Sequence, residues 1–186
     1  PLNVEETKQA IRELIEQEGV SAVAVSLMQA WANPVHERQI KELVRELVND
    51  GSVYWSFGSE LAQLAGEYAR ANTAIANAYL GPIVTAYLTD LERRLRAAGF
   101  NGNLLVMQGN GGLSGIEQVT PLANLQSGPA GGMIAAAHTA SLLGHRRVLT
   151  TDMGGTSFDV SILIDGYWPY AEEPVFERIR MLQPIV

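Results

Sequence analysis

No cysteine occurs anywhere in the 186 residues. Disulfides, thiolate nucleophiles and Cys-ligated metals are therefore excluded, which fits a cytoplasmic location. Basic charge is also scarce: 13 Lys and Arg against 20 Asp and Glu leave a net charge of −7 and a pI near 4.9. Nucleic acid and anionic membranes require clustered cations to neutralise phosphate, so neither is an expected partner. The densest basic stretch, Arg93, Arg94 and Arg96, reads as a solvated helix face. Long hydrophobic runs are missing too, since none reaches the roughly 18–20 residues a membrane span needs. Pro1-Leu2-Asn3 carries no basic n-region and no signal-peptide core. There is no initiator Met, and Gln183-Pro184-Ile185-Val186 ends on an apolar run, so both ends are expected to be cut from a longer chain.

What is present suffices for a globular core: 47% hydrophobic residues, 18% charged residues and a mean hydropathy near zero. One domain, or one and a half, is expected. Asn3 and Glu6 have capping-box spacing, which predicts a helix from about Val4 to Glu18 with Ile11, Leu14 and Ile15 as its stripe and Gly19 as its left-handed stop. Ser21 to Met28 reads as a strand buried on both faces. Asn33-Pro34 then opens a second helix, with Ile40, Leu43, Val44, Leu47 and Val48 facing inward and Asp50-Gly51 ending it. Val53 to Phe57 reads as a strand, and the alternation points to an α/β fold. A long helical region is expected from about Glu60 to Ala98, broken or kinked near Gly81-Pro82 and capped by Gly99. Asn103 to Gln108 reads as another buried strand, and Ser127-Gly128-Pro129 opens a small-residue helix that ends at Gly144. Arg147 to Asp152 and Phe158 to Ile164 read as strands around Gly154-Gly155, with Asp165-Gly166 as the next hairpin turn.

The strongest chemical signal is the run from Thr151 to Val160. Asp152 ends one strand, Gly154 and Gly155 make the turn, Thr156 and Ser157 follow, and Asp159 starts the return. Glycines allow positive φ and let successive amides converge on an anion, and the two hydroxyls add donors. Asp152 would repel phosphate directly, so its use would be to hold Mg²⁺ through water. An ordinary two-residue hairpin turn remains the alternative, although two carboxylates flanking a glycine turn have little purely structural purpose. Gln108, Asn110 and Gly111 lie in a polar, glycine-rich loop at the end of an apolar strand, where open α/β sheets bind ligands. They are candidate substrate contacts, or simply turn residues. The Ser127–Gly132 segment offers free helix-start amides, or close helix–sheet packing. His36, His138 and His145 have no metal-ligand spacing and read as structural histidines, with His138 worth revisiting because of its helix. Trp31, Trp55 and Trp168 read as core or interface.

Taken together, these segments resemble the hydantoinase A/oxoprolinase family, which also includes acetone and acetophenone carboxylase subunits. The resemblance runs through Asn33-Pro34-Val35-His36-Glu37, Glu67-Tyr68-Ala69-Arg70 with Thr73 and Asn77-Ala78-Tyr79, Met107 to Leu113, and Ser127 to Gly132. It is clearest at Asp152-Met-Gly-Gly-Thr-Ser-Phe-Asp159. The chain departs from the family's pattern at Gly109, where Ser is usual, at Ala69, where an acid is usual, and at Gln29, where some members have His.

The resemblance implies an α/β fragment of the actin/Hsp70/sugar-kinase-like (ribonuclease H-like) ATPase fold, in which ATP lies between two related halves. Residues 1–146 would be the remainder of the first half and residues 147–186 the opening strands of the second. The first half's own phosphate hairpin would lie upstream of Pro1, and a later glycine-rich loop would follow Val186. It further implies ATP and Mg²⁺ or another divalent metal, a hydantoinase B-type partner subunit or domain, and ATP-driven hydrolysis of cyclic amides of the hydantoin or 5-oxoproline type. Asp152 and Asp159 would position the ion and phosphate water, while Gly154, Gly155, Thr156 and Ser157 would hold phosphate oxygens. A ketone carboxylase subunit and a non-catalytic nucleotide-binding assembly subunit are the alternatives. On the two-half scheme the isolated segment is expected to be inactive.

Overall fold

The computed structural model describes residues 1–48, 50–176 and 178–185. Compactness divides the chain into two units, residues 1–88 with 175–183, and residues 89–174 with 184–186. This division by packing falls inside a helix.

In the first unit, α1 (Val4–Glu16) starts where expected. The Glu6 amide donates to the Asn3 side-chain oxygen at 3.3 Å, and the Glu6 carboxylate accepts from the Asn3 side-chain amide rather than from its backbone. Gly19 then adopts φ +61°. β1 (Ala22–Val25) pairs in parallel with β2 (Tyr54–Phe57), with α2 (Val35–Leu47) between them. This βαβ unit is the α/β signature read from the alternation. The α2 start is shifted by one residue, because Pro34 occupies the cap position while the Asn33 side chain accepts from the Val35 amide at 3.2 Å. Ile11 packs with Ile40, Leu43, Val44 and Phe57 in the core, each contributing about 1.5–3 kcal/mol on full burial. β1 is half-buried along its length, not sealed on both faces as expected. Among the described residues its sheet has two strands, so β1 has a neighbour on one edge alone.

The expected long helix resolves into α3 (Gly58–Leu61) and α4 (Glu67–Ala97). α4 runs through Pro82 without a break. Gly81 lies in close contact with a neighbour: a Cβ there would sit 2.3 Å from the Tyr54 ring. Glycine lets the helix lie against that ring.

Most of the family-like polar residues in this unit are buried and structural. The Glu37 carboxylate, 1% exposed, accepts from the amides of Leu27 and Ser59, both at 2.8 Å. Arg70, fully buried, donates to the carbonyls of Leu27 and Leu64 and pairs with Glu67. Thr73 accepts from the Leu182 amide at 2.8 Å and donates to the Ala69 carbonyl, and Asn77 donates to Ser56 and Tyr54. These bonds satisfy groups that burial would otherwise leave without partners. Ala69 lies buried against Ala62 and Leu182, so an acid there would be desolvated in this chain.

In the second unit, β3 (Leu105–Met107) is shorter than the expected strand and is not fully buried. It pairs antiparallel with β4 (Leu113–Gly115), and Leu105 is exposed. A short apolar run cannot by itself distinguish the two cases. Two 3₁₀ turns, Ile116–Gln118 and Pro121–Asn124, lead to α5 (Ser127–Leu143), which ends at Gly144 with φ +73° as expected. β5 (Arg147–Met153) and β6 (Phe158–Ile164) form an antiparallel hairpin. The Asp165-Gly166 turn follows with both residues at positive φ, and the Asp165 side chain accepts from Arg146 at 2.6 Å. In the first unit again, β7 (Val175–Phe176) pairs with β8 (Ile179–Arg180). No helix among the described residues is long and apolar enough to cross a membrane.

Candidate functional site

The β5–β6 register decides which side chains share a face. Val148 pairs with Leu163, Thr150 with Ser161 and Asp152 with Asp159, and directly opposed residues project to the same side of a sheet. Burial alternates along both strands, with Val148, Thr150, Asp159, Ser161 and Leu163 more covered than their neighbours. This is the face turned towards α5. The other face is open and apolar, with Leu149, Met153, Phe158, Val160, Ile162 and Ile164 all exposed.

Two carboxylates thus sit directly opposite each other at the loop end of the hairpin. Asp159 is half-buried and accepts from the Ser157 hydroxyl at 3.2 Å, while Asp152 is exposed. Like charges in this relationship repel, and among the described residues no basic side chain is bonded to either. A cleft of about 480 Å³ runs between α5 and the hairpin. Pro129 and Gly132 of α5 line it together with Asp152 and Asp159, and His145 also lines it.

The loop contains four residues, Gly154 to Ser157, instead of a two-residue turn. The Gly154 amide donates to the Ser157 carbonyl at 2.9 Å and closes it. That amide is spent inside the loop, so the Gly155 and Thr156 amides are the apical donors left for an anion. Neither Gly154 nor Gly155 uses positive φ. A Cβ on Gly155 would meet nothing within 4 Å, and one on Gly154 would make an ordinary 3.8 Å contact. The backbone therefore gives no reason for either glycine.

The other expected site residues behave differently. Gln108 donates to the Ser114 hydroxyl at 2.5 Å, Asn110 accepts from the Gly112 amide at 2.8 Å, and Gly111 takes φ +84°. All three shape the β3–β4 hairpin. Gly109 is sterically required, because an added Cβ would lie 2.1 Å from the Leu125 carbonyl oxygen. This accounts for the missing serine. His36, His138 and His145 are exposed rather than packed as structural histidines, and no cluster of three or more His, Asp or Glu among the described residues could hold a metal unaided. Trp55 packs against the first unit's core, while Trp31 is partly exposed. The buried roles of Glu37, Arg70, Thr73 and Asn77 were not assigned from sequence. Their one signal was membership of the family-like segments.

An anion could be met by the loop amides and hydroxyls, and a hard cation by the paired carboxylates. Magnesium is commonly held by one or two carboxylates, several waters and substrate phosphate. The donor set therefore fits Mg²⁺ bound together with a nucleotide.

Comparison with known proteins identifies the family. Residues 70–186 match the hydantoinase/oxoprolinase family model, and residues 1–48 match the model for the hydantoinase/oxoprolinase N-terminal region. An uncharacterised protein of Methanocaldococcus jannaschii is 38% identical over 89% of this chain and 24% of its own length. The acetophenone carboxylase gamma subunit of Aromatoleum aromaticum is 31% identical over the whole chain and 26% of its own length. Among solved structures, acetone carboxylase superposes over the whole chain with a TM-score of 0.86 at 26% identity, covering 26% of that chain. ATP-dependent caprolactamase from Pseudomonas jessenii gives 0.84 at 29% identity, covering 27% of that chain. The chain therefore spans about a quarter of the length of these four proteins. The expectation of an α/β fragment of the actin-like ATPase fold is met.

Proposed function

Because this chain belongs to the hydantoinase/oxoprolinase family, we propose that the protein carrying it hydrolyses a cyclic amide at the expense of ATP, and that the β5–β6 hairpin binds the nucleotide's terminal phosphates. The observation that carries this reading is the in-register opposition of Asp152 and Asp159 beside a loop whose glycines the chain itself does not require. The resemblance to ATP-dependent caprolactamase supports the amide as substrate class.

An unactivated amide is a poor electrophile because nitrogen lone-pair donation stabilises its carbonyl. Attack of the amide oxygen on the terminal phosphorus forms an O–P bond and releases ADP. That removes the resonance and makes the oxygen a leaving group. Water adds to the carbon and the ring C–N bond opens, with a proton passing to the departing nitrogen, which leaves an acyl phosphate; a second water adds to its carbonyl and phosphate departs. Overall, ATP and two waters yield ADP, phosphate and the ring-opened amino acid. The protein's part is positioning and charge stabilisation. The Gly155 and Thr156 amides and the Thr156 and Ser157 hydroxyls orient phosphate oxygens. Asp152 and Asp159 would hold the hydration shell of Mg²⁺, which would supply neutralisation of phosphate charge. Gln108, Asn110 and Gly111 are proposed on the substrate side, with Gln108 and Asn110 acting through the shape of their hairpin.

A hydantoinase B-type subunit or domain is the proposed partner, supported by the subunit nature of the acetophenone carboxylase relative. A second reading, ATP-dependent ketone carboxylation, is favoured by the superposition on acetone carboxylase. In that case ATP would make an enol phosphate and activate bicarbonate. The test is ATP turnover and product analysis by the full-length protein with its partner. Ring opening without bicarbonate supports the amide reading, and bicarbonate incorporation supports the ketone reading. Nucleotide binding without turnover of either substrate class leaves the assembly-subunit alternative. ATP turnover that survives Asp152→Ala unchanged would remove the site assignment.

A further inference from the structure

Three charged side chains converge on one exposed turn. β1 ends at Val25, and the turn through residues 27–29 follows at the carboxyl end of the parallel β1–β2 pair. The Leu27 amide donates to Glu37 at 2.8 Å, and the Leu27 carbonyl accepts from Arg70 at 3.0 Å. The Gln29 amide donates to one Glu67 oxygen at 2.9 Å, while the other pairs with Arg70. Glu37 also accepts from the Ser59 amide just past β2, so one buried carboxylate ties the two strand ends together. Burying Glu37 and Arg70 carries a desolvation cost. What they hold outward is Gln29, with its side chain exposed and its backbone at φ +59°. Its carbonyl accepts from the Ala32 and Asn33 amides, both at 3.1 Å, but among the described residues nothing bonds its carboxamide. A turn needing positive φ alone would be better served by glycine or asparagine. The strand edge is also the one where α/β folds take ligands. We propose that Gln29 is a specificity-determining residue whose carboxamide pairs with the scissile amide of the cyclic substrate, and that Glu67 is the positioning residue that sets it, roles that rest on the cyclic-amide reading given above.

In a small ring the amide is held cis, with its N–H and C=O on the same side. A glutamine carboxamide likewise presents an N–H and a C=O side by side, so the two groups close a pair of hydrogen bonds. A ketone has no N–H and could take one bond of the two. The pairing also suits the phosphorylation step. A carbonyl oxygen has two lone pairs, so the substrate can accept from Gln29 with one and attack phosphorus with the other. As that oxygen is phosphorylated, positive charge grows on the ring nitrogen, and its N–H donates more strongly to the Gln29 oxygen. A contact that strengthens along the reaction lowers the barrier as well as aiding binding.

The test uses the full-length protein with its partner and ATP, offered 5-oxoproline, hydantoin and caprolactam. For whichever amide the native protein opens, Gln29→Leu is expected to lower kcat/KM by at least about 10-fold, with nucleotide affinity and melting midpoint unchanged. Gln29→Asn suits positive φ and withdraws the carboxamide by one methylene. It is expected to show the same loss, and it keeps the test valid if Gln29→Leu misfolds. Methylating the scissile nitrogen of the substrate removes one bond of the pair, so the native preference for the unmethylated amide should shrink in Gln29→Leu. Glu67→Gln must turn its NH₂ towards either Arg70 or the Gln29 amide, both of them donors. It is expected to lower kcat/KM in the native background and to add nothing in Gln29→Leu, as a residue acting through Gln29 requires. Unchanged kcat/KM in both Gln29 variants, a loss that merely follows a lowered melting midpoint, or a Glu67→Gln effect that persists in full without Gln29 would overturn these roles and leave the amide reading standing. ATP-driven opening of none of the three amides by the native protein would remove that reading and these roles with it.

Discussion

Asp152 and Asp159 are direct cross-strand partners on the α5-facing side of the β5–β6 hairpin. With nothing bound, their repulsion is an energetic cost, and Asp152→Asn should relieve it. We expect the ligand-free protein to gain about 0.2–1 kcal/mol in chemical denaturation while ATP turnover falls by about 100-fold or more. Lost stability together with retained turnover would reverse the roles given to this pair.

Two glycines in the second unit should separate structural from ligand-driven constraint. Gly155→Ala meets empty space, so its stability should change by less than about 0.5 kcal/mol while nucleotide affinity drops. Gly109→Ala places its methyl 2.1 Å from a backbone oxygen, so it should cost at least about 1–3 kcal/mol. Paired melting and nucleotide-binding measurements on both variants check the contrast.

Much of the fold was legible because its punctuation is local. Asn3, Gly19, Gly144 and the Asp165-Gly166 turn each act over four residues or fewer, and all appear where their chemistry places them. The α/β character followed from the alternation around α2. Pairing partners were less legible. Nothing in Asn103–Gln108 indicates that its strand turns back on Leu113–Gly115, because period and composition do not encode direction. Pro82 does not end the helix: its missing N–H costs one helical bond, yet α4 continues through it for 31 residues. In the candidate site, residue identities were readable from sequence. The four-residue loop, the engaged Gly154 amide and the Asp152–Asp159 register needed coordinates.

Glu37 should prove to be an architectural carboxylate. Glu37→Ala leaves the buried amides of Leu27 and Ser59 without their acceptor, at a cost of about 1–3 kcal/mol for each unsatisfied group. Glu37→Gln keeps one oxygen and should recover roughly half of the loss. Urea denaturation of the three proteins tests this, and an unperturbed Glu37→Ala midpoint would contradict it.

Alkaline stability should report on Tyr54. Burial pushes its hydroxyl pKa above the ordinary value near 10, and the Asn77 hydrogen bond partly opposes that shift. A raised folded-state value means the unfolded chain releases this proton first. The stabilisation is therefore complete below about pH 10 and is lost as pH climbs through the folded value. Tyr54→Phe should flatten that part of the stability–pH curve above about pH 10 and leave the neutral and acidic limbs unchanged in shape.

The most direct test of the phosphate-loop assignment is a crystal structure of the full-length protein with Mg²⁺ and a non-hydrolysable ATP analogue. The account predicts terminal phosphate oxygens within hydrogen-bond distance of the Gly155 and Thr156 amides, and a hydrated Mg²⁺ facing Asp152 and Asp159. Phosphates and metal bound away from residues 152–159, with the hairpin left unliganded, would contradict it.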